Sequence, residues 1–411
     1  MISPRENDRL TAPVASQAFA QRAADHLRTI ILPFWLEHMP DRQRGGFFGE
    51  ISDTMVRKDD EPRGALLTAR ILWTFSAAHR HFPEKAYLDM ARHAYADLLG
   101  HFWDDEHGGL YWSASADGVP LRTRKQVYGQ AFGIYALTEF HRATGEREPL
   151  DRAITIFRLL EKHARDPRHG GYFEACTREW NLESDWRLSA VDLNTPKSQN
   201  TLLHVMEGYT NLLRVWPDPQ LQRAQTDLLE IMLTRVIDAR THHLGLFFDA
   251  DWTLKSDRIS FGHDIEAAWL LTEAAQVLGD PALLARIRAE AVKIAEAVYV
   301  QAIDTDGGLL YEAGPNGITQ DHKEWWPQAE AVVGFLDAYE ISGDERWLRT
   351  AEGLWDFIEA NLVDRKNGEW YRAVTRDRKQ FPNGEKASFW KCPYHNGRAC
   401  LEVYDRLRGK V

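Results

Sequence analysis

Cysteine is nearly absent from this chain. Only Cys176, Cys392 and Cys400 occur in 411 residues, and no two form a C-x-x-C pair, which excludes a disulfide framework and a thiolate zinc site of ordinary spacing. This usage fits a reducing compartment, so a cytoplasmic protein is expected. Long apolar runs are missing as well, with no stretch of 18 uncharged apolar residues to cross a bilayer. Met1 to Asp8 mix both charges where a secretion signal would carry an apolar core. Positive charge is in deficit: 50 Lys and Arg against 61 Asp and Glu leave a formal charge of −11. Such a field repels nucleic acid and anionic membranes and favours a small neutral ligand. The phosphate-binding glycine loops, the serine nucleophile elbow and the H-E-x-x-H zinc motif are all missing. What remains open is acid–base chemistry without cofactor or metal.

What the chain does have is an internal repeat. Glycine turns followed by aromatic or apolar residues recur six times: Gly45-Gly46-Phe47, Gly108-Gly109-Leu110, Gly170-Gly171-Tyr172, Leu244-Gly245-Leu246, Gly307-Gly308-Leu309 and Gly368-Glu369-Trp370. Most lie 60 to 63 residues apart, and the third interval is stretched to 74. Between markers the apolar residues step as helices do. Leu66, Ala69, Trp73 and Ala77 form one run, Tyr87, Met90, Ala94 and Leu98 a second, and Pro83 separates them. One unit is therefore a hairpin plus two antiparallel helices. Six such units predict an all-α, single-domain (α/α)6 barrel over residues 1–411, with short β-hairpins gathered at one mouth. An open α-solenoid with a protein-binding surface is the competing architecture.

A site at that mouth requires reactive residues at one phase of the repeat, and they cluster there. Arg63, Tyr128, His263 and Trp326 follow their markers by 17 to 19 residues, while Asn200 and His204 follow the stretched interval and Trp390 and His395 the last marker. Asn200, His204 and Glu207 share a helix face, as do His263 with Glu266 and Trp326 with Glu330. A lone histidine at a helix start is usually a packed or capping residue, but three at matching phases point to proton transfer. Tryptophan, at 15 copies, serves core packing or sugar stacking equally well. Arg63 suits either a surface ion pair or an oxygen ligand.

Four runs are more specific: Pro62-Arg63-Gly64-Ala65, Ser260 to Ala267 (SFGHDIEA), Trp325 to Ala331 (WWPQAEA) and Phe389 to Arg398 (FWKCPYHNGR). Together they resemble the N-acylglucosamine 2-epimerase superfamily from about Phe34 onward. The resemblance implies an (α/α)6 barrel that inverts C2 of the reducing-end glucose of a β-1,4-linked disaccharide, through ring opening and a cis-enediolate, with no cofactor, as a monomer by default. By similarity His263 and His395 are the proton-transfer pair, one neutral and one imidazolium. Glu266 would orient His263, His204 would serve ring opening or proton movement between O1 and O2, and Arg63 would stabilise the enediolate. Tyr128, Asp192, Asn200 and Glu330 would hold sugar hydroxyls, with Trp326 and Trp390 as stacking surfaces. A monosaccharide isomerase or N-acetylglucosamine epimerase uses the same intermediate. An inverting glycosidase would instead need Glu266 and Glu330 about 6.5–9.5 Å apart.

Overall fold

The computed structural model describes residues 16–408; the N-terminal stretch read above for a secretion signal lies outside them. The chain is mostly helical, and its helices alternate between two layers. An outer set comprises α1 (16–38), α3 (Lys85–Asp97), α5 (Arg147–Leu159), α7 (Pro219–Ile231), α9 (Pro281–Ala302) and α11 (Glu345–Asn361). An inner set comprises α2 (Ala65–His81), α4 (Val127–Thr144), α6 (Gln199–Leu213), α8 (Phe261–Leu278), α10 (Trp325–Ser342) and α12 (Tyr394–Leu407). Each inner helix packs on the next, and α12 packs back on α2. Among the described residues no helix is long and apolar enough to cross a membrane.

Local chemistry sets these boundaries. The inner helices α4, α8 and α10 stop at Gly145, Gly279 and Gly343, each left-handed with φ of 74°, 79° and 71°. After the last two glycines, Asp280 and Asp344 cap the following outer helices through their side chains, with Pro281 at the first helical position of α9. The inner helices are buried nearly all round, so their apolar residues do not form one stripe. The outer ones bury one side, as the Tyr87, Met90, Ala94 and Leu98 run anticipates: all four are buried.

The strands pair differently from simple hairpins. The dipeptide ahead of each inner helix joins the next unit: Arg63–Gly64 pairs with Ser113–Ala114, Lys125–Gln126 with Ala175–Cys176, and Lys197–Ser198 with Phe247–Phe248. Ile259–Ser260 and Lys323–Glu324 continue the pattern, and Glu385–Ala387 pairs with Glu50–Ser52 of the first unit. Sequence neighbours are thus stitched into a ring at one end of the helices.

The glycine marker has a steric cause. Gly109 and Gly171 adopt φ of 73° and 72°, and a Cβ on either would come within 2.8 Å of the indole of Trp180 or Trp252 from the next unit. Five residues ahead of these glycines, Asp104 and Asp166 accept backbone N–H groups of their own turns. Their other oxygens bind Lys125 and Lys197 at 2.8 and 2.7 Å. Asp304–Lys323 and Asp364–Lys386 repeat the device at 3.0 and 2.9 Å.

Candidate active site

The repeat-wise ion pair corrects one expectation. Arg63 occupies the lysine position of the first unit: it is 3% exposed, donates to Asp41 Oδ2 at 2.9 Å and to the Gly45 carbonyl, and does not line the central cavity. Its phase count was right, but the phase belongs to turn fixation. Among the arginines that line the cavity, Arg70 alone stands on an inner helix, one and a half turns into α2, whereas Arg187, Arg258 and Arg372 lie in loops.

That cavity has a volume of about 350 Å³ and opens at the strand end of the inner helices. Its wall has two tiers. In the first helical turns stand Tyr128, Asn200, His263, Trp326 and His395, all lining it, and Trp390 and Asp192 line it from the adjoining loops. These seven residues of the sequence reading lie together on its wall. About one turn deeper lie Arg70, His204 and Glu266 on the wall, with Glu330 and Arg398 behind it.

The deeper tier is a buried ionic network. Arg398 Nη2 donates to Glu266 Oε1 at 2.8 Å and to Glu330 Oε1 at 2.7 Å, while its Nη1 reaches Glu207 and the Tyr394 hydroxyl. Glu207 Oε2 meets His204 Nδ1 at 2.8 Å. Glu330 Oε1 meets His395 Nδ1 at 2.6 Å, and its second oxygen accepts from Trp269 at 3.0 Å. Two expectations change here. His263 is held by Ser260 Oγ at 2.7 Å rather than by Glu266. Glu330 lies outside the cavity lining and orients His395 instead of holding sugar. The carboxylate partner of His395 thus comes from a neighbouring helix, whereas His263 is held by a hydroxyl at the start of its own.

Electrostatics follow from burial. Desolvation, with a smaller contribution from His204, lowers the His263 pKa to about 3, although the ring is partly open to the cavity. Burial and the nearby Arg70 and Arg398 hold His395 well below the ordinary imidazole value. Both imidazoles are therefore neutral in the free site; the expected pairing of one neutral and one charged ring applies to the moment of C2 deprotonation. Burial and then the charge of Glu330 push Glu266 well up, whereas against burial Arg398 and His204 hold Glu207 down to about 2.

Arg70 differs from every neighbour. It donates to Tyr128 OH at 2.6 Å, lies over the Phe132 ring at 4.2 Å, and among the described residues makes no ion pair with a carboxylate. A single charge in the run ALLTARILW is the sequence signal that marks it. Arg398 and Glu207 were legible in the same way. Glu174, which lines the cavity and accepts from Ser198 N at 2.8 Å and Thr201 Oγ1 at 2.6 Å, carried no such signal.

Glu266, Glu330 and His395 also bring three potential metal ligand atoms within 4.8 Å of one another. Arg398 already donates to one oxygen of each carboxylate, so the acidic set is matched by an internal cation and does not suit a metal. The same closeness removes these two glutamates as an inverting glycosidase pair, which needs about 6.5–9.5 Å for a water.

A cavity lined by paired imidazoles, indoles and one unmatched guanidinium defines a sugar-directed acid–base enzyme. The chain belongs to the N-acylglucosamine 2-epimerase family, whose model matches residues 46–397. It is 46% identical over 387 residues to a cellobiose 2-epimerase of Bacteroides fragilis, covering 93% of this chain and 98% of the relative. The solved cellobiose 2-epimerase of Bacillus thermoamylovorans superposes with a TM-score of 0.90 at 38% identity, covering 95% of this chain and 99% of that one. That of Spirochaeta thermophila gives 0.88 at 41% identity, covering 96% and 97%.

Proposed function

We propose that the chain is a single-domain, closed (α/α)6 barrel that inverts C2 of the reducing-end glucose of β-1,4-linked disaccharides, turning cellobiose into glucosylmannose and lactose into epilactose. The observation that carries this reading is the pair His263 and His395, both against the Trp326 indole with ring centroids at 4.8 and 5.5 Å, with uncompensated Arg70 on the same cavity wall. The named relatives share the activity over nearly the whole chain. Cys176, Cys392 and Cys400 are buried and free, which supports a reducing, cytoplasmic setting.

The C2 proton is acidic only beside an open-chain aldehyde, so ring opening comes first. It moves the O1 proton to O5, and His204, fixed through Nδ1 by Glu207, presents Nε2 for that transfer. One imidazole of the His263/His395 pair then takes the C2 proton, leaving a cis-enediolate. Arg70 and Tyr128 face its negative oxygen as fixed donors, which is where preorganised charge lowers a barrier most. The opposite imidazole returns a proton to the other face of C2. Because burial keeps both rings neutral in the free site, that proton is taken up with substrate, whose developing anion favours a neighbouring imidazolium.

Glu330 fixes His395 so that Nδ1–H points at the carboxylate and Nε2 is left for the reaction, as a carboxylate does in a catalytic triad. Asn200 and Asp192 hold hydroxyls, and Trp326 and Trp390 supply stacking faces. The wall beyond Trp390, formed by Trp186, Leu188 and Val191 of the stretched third unit, gives room for a second ring. The test is NMR of cellobiose incubated with the protein in D2O. Glucosylmannose with deuterium at C2 is expected; free glucose, or a ketose without any mannose configuration, would overturn the reading.

A further inference from the structure

Among the described residues every buried arginine or lysine but one has a carboxylate partner. Arg398 is met by three glutamates, Arg63 by Asp41, Lys125 by Asp104, Lys197 by Asp166, Lys386 by Asp364 and Lys391 by Glu369. Arg70, 2% exposed, has only neutral neighbours. These are the Tyr128 hydroxyl, the Trp390 carbonyl at 3.4 Å, Cys392 Sγ at 3.8 Å and the faces of Phe132 and Tyr394, and its Nε has no partner at all. An unpaired buried guanidinium is costly, and on a cavity wall the missing counter-charge is one a ligand can bring.

We infer that the site takes aldonates, the open-chain acids formed by oxidising the reducing-end aldehyde of its sugars, as competitive ligands held more tightly than neutral sugars of the same length. This rests on the reading proposed above. An aldonate carries at C1 a planar carbon with negative oxygen, the charge that the enediolate develops only transiently. It is also already open, so it escapes the cost of ring opening. The remaining hydroxyls and the second ring keep the same partners, Asn200, Asp192, Trp326 and Trp390. One wall carboxyl, Glu266, faces such an anion from the deeper tier. It is already engaged by Arg398 at 2.8 Å, and burial and the charge of Glu330 push its pKa well up, both of which weaken its opposition to an anion. The reaction class that makes this inhibitor is oxidation of the epimerase's own substrate at C1, which ties the enzyme's activity to the redox fate of the disaccharide.

The experiment is calorimetric titration of the full chain with cellobionate and with cellobiitol, the neutral alcohol of equal length, together with competition against cellobiose turnover. Cellobionate is expected to bind at least ten-fold more tightly, about 1.4 kcal/mol, to compete with cellobiose, and to keep that ratio in 0.5 M salt because a buried pair is little screened. Arg70→Met, its fold checked by thermal melting, is expected to bring the two ligands level. Equal or weaker binding of cellobionate by the wild-type protein, or inhibition that does not compete with cellobiose, overturns the inference whatever the variant does. If cellobiose still exchanges at C2 in that case, the proposed function stands and only the aldonate inference fails; if no exchange occurs, the proposed function has failed first.

Discussion

Replacing Arg70 and Arg63 in parallel separates function from stability, because two buried arginines close together in sequence sit in opposite electrostatic situations. Arg70→Met removes a desolvated cation that no carboxylate balances. Losing a donor aimed at a developing oxyanion costs about 10²–10³ in kcat, roughly 2.7–4 kcal/mol. Stability has two opposing contributions: relief of a desolvation penalty of several kcal/mol, against loss of the Tyr128 bond and two aromatic faces at about 1–2 kcal/mol each. The fold should therefore hold or gain in Tm. Arg63→Met does the reverse. It strips Asp41, 2% exposed, of its buried partner while Arg44 and two backbone N–H groups remain. The loss should lie near the low end of the buried-pair range, about 3 kcal/mol. With an unfolding entropy of about 2 cal/mol/K per residue, that lowers Tm on the order of 3–4 °C. Its kcat should stay within about two- to three-fold, since the side chain does not reach the cavity. The assays are epilactose formation from lactose and thermal melting of both variants. An Arg70→Met enzyme retaining over a tenth of wild-type kcat, or an Arg63→Met enzyme that is inactive yet fully stable, would refute the assignment.

Other outcomes can be checked with the same assays. His263→Ala and His395→Ala should each lower C2 deuterium exchange by about 10²–10⁴, and the double variant should lose little more than either alone, as residues acting as a unit do; near-additive losses would contradict a shared proton path. Glu330→Gln should cut kcat about 10–100-fold with little change in KM, the effect of a partner that orients a reacting ring, whereas Glu266→Gln, replacing a carboxyl whose pKa burial and Glu330 push well up, should stay within a few-fold. With His263 lowered to about 3 and His395 also lowered, the neutral base form survives acidification, so kcat/KM should show no acid limb centred near the ordinary imidazole value of about 6.5; a limb there would show that the reacting base is not desolvated. Burial without a cation raises Glu174 to about 8, so the folded state binds its proton more tightly than the unfolded chain. The wild type should then lose Tm relative to Glu174→Gln as pH rises from 4.5 to 8, and the difference should level off above 8; a gap that does not change with pH would remove the protonated state.

The sequence by itself determined everything that depends on neighbours along the chain. The six glycine turns and the paired helical runs separated at Pro83 are local and were legible in the sequence. So was the first-turn placement of Tyr128, Asn200, His263, Trp326 and His395, because a repeat puts equivalent positions at equivalent heights. Partnership was local where His204 takes Glu207 of its own helix, and elsewhere was decided by the tertiary structure. Along α8 the i, i+3 spacing puts His263 and Glu266 on one face, yet Glu266 turns to Arg398 of α12, and His263 takes Ser260. His395 receives its carboxylate from α10, and Arg63 proved to be the first member of a lysine series that only the turn geometry displays. The reason is physical. In a ring of inner helices each inward side chain lies between two neighbouring helices, so the nearest opposite charge is set by the interhelical gap rather than by spacing within one helix. Whether a buried arginine is paired or waits for a ligand is a property of that gap, which no single helix encodes.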